Sequence, residues 1–365
     1  MNKPSLIGYI NEQGEVLRYT FGQRSLYCNP LIEVFKKSQI KKIYLIGSGT
    51  SYNASIAIKT YFEKFLPVEV EVVIPTIFTN YVTINNNQLY AKENILVIGI
   101  SQSGTSYSTV NAMKKAKSEG YTTIALTENE ESLITKEVDQ VLKLCVGKEL
   151  IPVETKGYTT TLLTGYCWAL ELAYALQKMN EEDYQTRIQK IDKMLNNFEK
   201  YLDEVNEWYE RNSEELIEME HGHVAAYGSN TCTAIEAELK IYETFKRPIH
   251  AYELEELIHG PQMAFNNRTY VYIVASAEKE IERISLFQNW FKENEVTEHL
   301  FIITTEDIAL SEKDLKFKTE VFNELSQLVF TLPFQIIAAK NSERVGYDTS
   351  VRPLRRKAFA HEYKE

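Results

Sequence analysis

Two short runs combine residue types that suit anion binding. Gly47-Ser48-Gly49-Thr50-Ser51 and Ser101-Gln102-Ser103-Gly104-Thr105-Ser106 each mix hydroxyls with glycine. Each follows an apolar run, KKIYLI or ILVIGI, and precedes a helix-forming stretch. Both are therefore predicted to lead from the carboxyl end of a strand into a helix N-terminus. That end of a helix carries unpaired N–H groups and a partial positive charge, which stabilise an anion by about 0.3–1 kcal/mol. Glycine lets the backbone approach closely, and hydroxyls add donors without formal charge. Ligands of open α/β sheets lie at the carboxyl strand ends, where both turns belong. A lone GSGTS is an ordinary capping turn. Two such turns on one predicted sheet point to a phosphate cradle. Neither reads GxGxxG, nor GxxxxGKS/T, so the common dinucleotide and P-loop signatures are missing.

A second constellation lies on TAIEAELKIYETF (233–245), predicted to be helical. Ile235, Leu239 and Tyr242 form an apolar ridge, and Glu236, Lys240 and Glu243 a parallel polar ridge about 100° away. By itself that spacing is what i,i+4 pairing needs, worth about 0.2–0.5 kcal/mol. Downstream, HAYELEELIHGP (250–261) ends in a short helical turn at His259-Gly260-Pro261.

The elements that position these residues read as α/β. Strands are expected at 41–47, 68–74, 95–100, 122–126 and 140–146, separated by helices after Tyr52 and after the SQSGTS turn. Apolar runs without alternation, separated by helices, indicate a parallel sheet covered on both faces. A long helix is expected around Thr160–Met179, then a charged helical connector from Glu181 to Glu220 without Gly or Pro. The pattern restarts with HVAAYG (223–228), the helix from Thr231, TYVYIVAS (269–276), a helix over 279–294, HLFIIT from 299, and a last helix around Phe322–Lys340. Two α/β sandwiches related by duplication are predicted. The domains are a helical lead-in (1–40), a first domain (41–180), the connector (181–220), a second domain (221–342) and a basic tail (343–365). The second sandwich lacks the serine-rich signature: after TYVYIVAS come Ala-Glu-Lys-Glu, an acidic turn poorly suited to phosphate.

Composition narrows the classes. With 365 residues, two domains of roughly 100–200 residues are expected. A formal net charge of −11 argues against a general nucleic-acid binder, whose affinity comes from clustered Lys and Arg. Cys28, Cys145, Cys167 and Cys232 form no CxxC pair, and the six histidines form no HExxH. His221 and His223 lie close together but without a partner motif, so no metal is expected. The N-terminus has no signal-peptide core, and no window approaches the ~20 apolar residues of a membrane span. A soluble, cytoplasmic protein is expected.

The runs GSGTSYNA, ISQSGTS and GKELIPVETKGYTT resemble the sugar-isomerase (SIS) domain of the isomerase half of glucosamine-6-phosphate synthase. They are also similar to the related fructoselysine- and glucoselysine-6-phosphate deglycases. The resemblance runs over nearly the whole chain and is strongest in 43–165 and 224–265. It implies two tandem SIS domains, each a flavodoxin-like α-β-α sandwich. It also implies that the hydroxyls of Ser51, Ser101, Ser103 and Ser106 and the amide at Gln102, beside Gly49 and Thr50, hold a sugar phosphate. Glu149 and Lys156 fall on family positions by the same match. Where the synthase usually has serine before Thr-Lys, this chain has Glu154. Two readings of Glu154 stand open, a group facing a substrate ammonium and a solvated glutamate at a helix start.

The family motif of the acid–base helix matches AIEAELKIYE and ELIHGP here without a gap. The match implies Glu243 as the base moving a proton between C1 and C2, and Lys240 as a lysine of the same helix face. It implies His259 as the residue assisting ring opening, supplied from the neighbouring subunit of a homodimer. Ring opening needs a group that donates and accepts protons near neutral pH, and enediol chemistry needs a carboxylate over one face of the open chain. Lys357, after Gly346 and Asp348, sits where the family has a lysine capping the carbonyl end, though Arg352-Pro353-Leu354-Arg355 diverges. A solvated basic tail is the other reading there. His250 reads as a polar residue at a strand end, and His361 lies in the tail.

The predicted sheet starts near residue 41, so a glutaminase domain has no room in this chain and glutamine-driven synthesis is not expected. The leading expectation is a phosphosugar deglycase that releases an amine and glucose 6-phosphate without any cofactor. The alternatives are an aldose–ketose isomerase or deaminase of amino sugar phosphates, and a non-catalytic sugar-phosphate sensor.

Overall fold

In the computed structural model, which describes residues 4–351, the non-alternating apolar runs become two parallel sheets of five strands each. The first contains β1 (Lys42–Ile46), β2 (Glu69–Val73), β3 (Ile95–Ile100), β4 (Thr122–Thr127) and β5 (Gln140–Lys143), in the order β2-β1-β3-β4-β5. The second contains β6 (His221–Ala226), β7 (Ile249–Glu253), β8 (Thr269–Ala275), β9 (Leu300–Thr304) and β10 (Leu315–Lys316), in the order β10-β9-β8-β6-β7. Read from its other edge, the second order repeats the first. Every residue of β3 and β8 is buried, as a strand covered on both faces requires. The expected α/β class with two sandwiched sheets is what the chain adopts.

The residues divide into two compact units, but not at single points along the chain. One comprises Glu15–Glu149 and Lys156–Gln189 and holds β1–β5. The other takes residues up to Gly14, Leu150–Thr155 and Lys190–Val351, and holds β6–β10. In the first unit, helix Thr50–Phe65 packs on helix Lys156–Ala175. The approach is close at Gly165, where a Cβ would stand 2.3 Å from Ile58 Cγ1. In the second unit, helix Phe198–Ile217 is a core element rather than a spacer. Phe198, Tyr201, Val205, Trp208, Tyr209 and Leu216 recur at helical spacing and are buried. Trp208 Nε1 donates to the Lys313 carbonyl at 2.7 Å, and Tyr209 Oη donates to Asn341 Oδ1 at 2.6 Å.

One α-helix and two strands are absent from the sequence reading. Helix Pro75–Tyr81 is short, with proline in its first turn. Strand β7 is a half-polar edge strand, Ile-His-Ala-Tyr-Glu, whose alternation is too brief to register. Strand β10 has only two residues. The last helix divides into Gln327–Phe330 and Leu332–Arg344, with Pro333 in the first turn of the second piece.

Candidate functional site

In the first unit the two serine-rich turns leave β1 and β3, which are hydrogen-bonded neighbours with Ile46 paired to Gly99. Gly49 adopts φ 57° and ψ −130°, a conformation costly for a residue with a Cβ, and the helix starts at Thr50. Thr50 and Ser51 are buried, and the Gly49 carbonyl accepts from the Asn53 amide at 3.0 Å. In the other turn, Ser101 is buried and its hydroxyl accepts from the Gly104 amide at 3.1 Å. Ser103 is exposed and accepts from the Thr105 amide at 3.3 Å and the Thr105 hydroxyl at 3.1 Å. Ser106 precedes helix Tyr107–Ser118 and accepts from the Thr109 hydroxyl at 3.2 Å. Gly104 has φ +67°, and a Cβ there would stand 1.9 Å from Ser132 Oγ, so only glycine fits.

Gln102 does something the sequence does not reveal. Its side-chain Nε2 donates to Glu149 Oε2 at 3.1 Å. That carboxylate also accepts from the amides of Lys156 (3.3 Å) and Gly157 (3.0 Å) at the start of helix Lys156–Ala175. Glu149 is thus an anion on a helix N-terminus, tied to the Ser101–Ser106 turn through Gln102. Gly157 is what permits the contact: a Cβ there would stand 1.8 Å from Gln102 Oε1.

In the second unit, helix Thr231–Glu243 packs against β6 and β7 with an unexpected face. Glu236 and Lys240 are buried, whereas the apolar ridge is turned outward, with Ile235 and Leu239 partly exposed and Tyr242 40% exposed. Small or apolar Ala234, Ala237 and Ile241 provide the packing face instead. Lys240 Nζ lies 3.3 Å from Glu236 Oε1 and 2.8 Å from Glu243 Oε2. Burial pulls the lysine pKa down, but Glu236, Glu243 and, less strongly, Glu154 outweigh it and hold the ammonium well above its ordinary value. Glu243 remains about a third exposed, so its carboxylate is accessible from solvent. Glu154 itself is half-buried just before the helix that starts at Lys156.

His259 ends a 3-10 turn over Glu256–Ile258, is largely exposed, and pairs with Glu255 of its own turn at 3.2 Å. Lys357 and His361 lie outside the described residues. Among the described residues, no group of three or more His, Cys, Asp or Glu is arranged to hold a metal ion. No described helix is long and apolar enough to cross a membrane. Sequence reasoning set Glu236 on the polar ridge and Glu149 on a family position, but it revealed neither the buried Glu236–Lys240 pair nor the Gln102–Glu149 bond. The signal for Glu236 was its i,i+4 spacing to Lys240, but nothing local indicates that the pair is buried.

Comparison with known proteins places the chain among relatives of one kind. Residues 38–171 match the SIS domain family model. A glutamine–fructose-6-phosphate aminotransferase (isomerizing) of Clostridium tetani is 29% identical over 280 residues, covering 75% of this chain and 45% of the relative. Its counterpart in Clostridium acetobutylicum is 30% identical over 260 residues, covering 69% and 41%. The chain thus spans less than half the length of these two relatives. A crystal structure of a Clostridium difficile protein, named provisionally as a phosphosugar isomerase, superposes with a TM-score of 0.86 at 28% identity, covering 97% of each chain. The C-terminal domain of a Francisella tularensis glucosamine-fructose-6-phosphate aminotransferase shares the fold, with a TM-score of 0.84 at 21% identity over 96% of this chain and 98% of that one. Residues 38–171 thus match the SIS domain family, and the chain is similar to glutamine–fructose-6-phosphate aminotransferases over part of their length.

Proposed function

We propose that this chain is a phosphosugar enzyme that releases an amine and glucose 6-phosphate from an amino acid glycated on its amine and phosphorylated on its sugar. The observation that carries the reading is the Lys240–Glu243 pair, a solvent-accessible carboxylate held 2.8 Å from a buried ammonium. A carboxylate so placed can accept a proton from substrate, and the lysine offers a positive charge next to developing enolate oxygen. The turns at Gly49–Ser51 and Ser101–Ser106 are the proposed phosphate site, with backbone amides and hydroxyls as donors.

In this reaction Glu243 removes a proton from C1 of the open-chain ketoamine, giving the enaminol. Return of the proton to C2 gives the imine at C1. Water adds to C1, the C1–N bond breaks, and the amine leaves with the aldehyde sugar. His259 is proposed to open the ring, contributed by a second copy of the chain in a homodimer, and Lys357 to act at the carbonyl end. Glu154 supports an amine-bearing substrate, since its carboxylate adds negative charge near Lys240. A second reading is ketose–aldose isomerisation or deamination of an amino sugar phosphate, favoured by the isomerizing aminotransferases among the relatives.

A coupled assay for glucose 6-phosphate tests the proposal, with fructoselysine 6-phosphate, glucoselysine 6-phosphate and glucosamine 6-phosphate as substrates. Release from a glycated amine, abolished in Glu243→Gln, is the expected result. Turnover of glucosamine 6-phosphate alone, which leaves the carbonyl at C2 and is therefore read as fructose 6-phosphate, selects the second reading. Sugar-phosphate binding without turnover of any substrate would make the chain a sensor.

A further inference from the structure

The two sheets share one strand order, so β6 and β8 of the second are counterparts of β1 and β3 of the first. Matching the last residue pair of each ladder gives a residue-level correspondence. Ile46 pairs with Gly99 in the first sheet, and Ala226 pairs with Val274 in the second. Ser101, two residues past Gly99, therefore corresponds to Ser276, and Ser103 corresponds to Glu278. The second unit thus has its own pair of turns at the carboxyl ends of two adjacent strands. There the anion position is already filled.

The turn after β6 is Tyr227-Gly228-Ser229-Asn230, leading into helix Thr231–Glu243. Gly228 adopts φ +57°, and the Glu278 carboxylate lies against it, with Oε2 1.7 Å from where a Cβ would stand. The Ser229 hydroxyl donates to Glu278 Oε1 at 3.2 Å, and Gln327 Nε2 donates to the same hydroxyl at 2.5 Å. Asn230, which precedes the helix, makes no side-chain capping bond to it; its amide donates to Ser326 Oγ instead. Ser276, the counterpart of Ser101, is fully buried, and its hydroxyl oxygen has no hydrogen-bond partner. A glycine with positive φ, a donor hydroxyl, a helix N-terminus and a buried idle serine are the parts of an anion cradle. A covalently tethered carboxylate sits in them.

We infer that Glu278 is an internal anion occupying the second unit's counterpart of the phosphate cradle, so that the chain takes a single phosphate group and uses the second cradle to anchor the helix bearing Lys240 and Glu243. The inference rests on the phosphate reading of the first cradle. It explains why a carboxylate stands where Ser103 stands in the first unit. A tethered anion needs no ligand to satisfy the turn, and its like charge excludes a free phosphate. Glu278 is in this sense a positioning residue, acting on the acid–base helix from its far end.

Equilibrium dialysis of the full chain with inorganic phosphate is the test. The wild type is expected to bind a single phosphate, and Ser103→Glu to bind none, because it copies the second unit's arrangement into the first. Glu278→Ser is expected to gain a second phosphate, and Glu278→Gln, which still fills the space, to gain none. A folded Glu278→Ser chain with unchanged stoichiometry overturns the inference. Wild type and Ser103→Glu binding alike would instead sink the first cradle and leave the Glu278→Ser comparison standing. Where Glu278→Ser is unfolded in phosphate-free buffer, thermal melting decides. Phosphate must then restore a folding transition in Glu278→Ser/Ser103→Glu while leaving Ser103→Glu unmoved, since a ligand of the native state stabilises by mass action. No restoration overturns the inference.

Discussion

The ammonium of Lys240 lies 2.8 Å from the Glu243 carboxylate, with only 2% of the lysine side chain exposed. A buried cation so placed is retained only with its partners, and Glu236 on the inner side completes the arrangement at 3.3 Å. Lys240→Met removes the charge that both glutamates share. It is expected to cost about 3–5 kcal/mol, the usual range for breaking a buried ion pair. Urea unfolding measures it, and Glu236→Gln/Lys240→Met should recover part of the loss.

Glu243→Gln keeps the shape of the side chain and removes the proposed base. Turnover should fall by at least ~10²-fold, the contribution of a positioned general base. Sugar-phosphate affinity, read by calorimetry, should stay within a few-fold of wild type. A parallel collapse of affinity and turnover would argue that Glu243 binds substrate rather than moving its proton.

Ser101→Ala removes the hydroxyl that accepts from the Gly104 amide. The Gly104 amide keeps its other acceptor, the Ser101 carbonyl at 3.1 Å, so the loss is that of one hydrogen bond, about 0.5–1.5 kcal/mol. The turn should loosen, and sugar-phosphate binding should weaken about tenfold or more while circular dichroism stays native. Unchanged affinity would remove the cradle assignment.

Gly157→Ala forces a methyl onto Gln102 Oε1, 1.8 Å away by ideal geometry. Gln102 must release Glu149, so phosphate affinity should drop although residue 157 is not one of the proposed phosphate ligands. Adding Gln102→Ala makes room for the methyl. Stability should then return while phosphate affinity stays low, a split measured by melting and calorimetry on the same proteins.

His223 is predicted to govern acid stability. Burial, then the neighbouring His250 and His221, lower its pKa from 6.5 to about 4. Its ring lies against Tyr252 and Phe265, and Nδ1 has no hydrogen-bond partner. The folded state therefore prefers the neutral ring, and the unfolded chain binds the proton more readily. The sign follows: this contribution is fully present above about pH 6.5 and is lost as pH falls towards 4. Urea midpoints measured between these limits should decline less steeply in His223→Phe than in wild type.

Much of the fold was legible because parallel strands covered on both faces must be apolar throughout. ILVIGI and TYVYIVA announce β3 and β8 without any tertiary information. Edge elements were not legible. Ile249–Glu253 mixes histidine, tyrosine and glutamate because one side of an edge strand is open, so its composition resembles a loop. The segment Phe198–Ile217 read as a connector because its charges outnumber its apolar residues, yet its aromatic stripe makes it a core helix.

The serine and glycine turns were determined by sequence alone, since a positive φ at Gly49 and the hydroxyl donors are properties of a few consecutive residues. Tertiary structure decided which face of helix Thr231–Glu243 is buried. Helical periodicity permits either ridge to turn inward, and packing against β6 and β7 buried Glu236 and Lys240 and left Tyr242 outside. It likewise decided that Glu278 rests on the turn of Ser229, 49 residues away, which only the register of β6 against β8 brings about. Local chemistry is written in adjacent residues. Charge burial and long-range contact depend on how separated segments pack, and no local pattern encodes that.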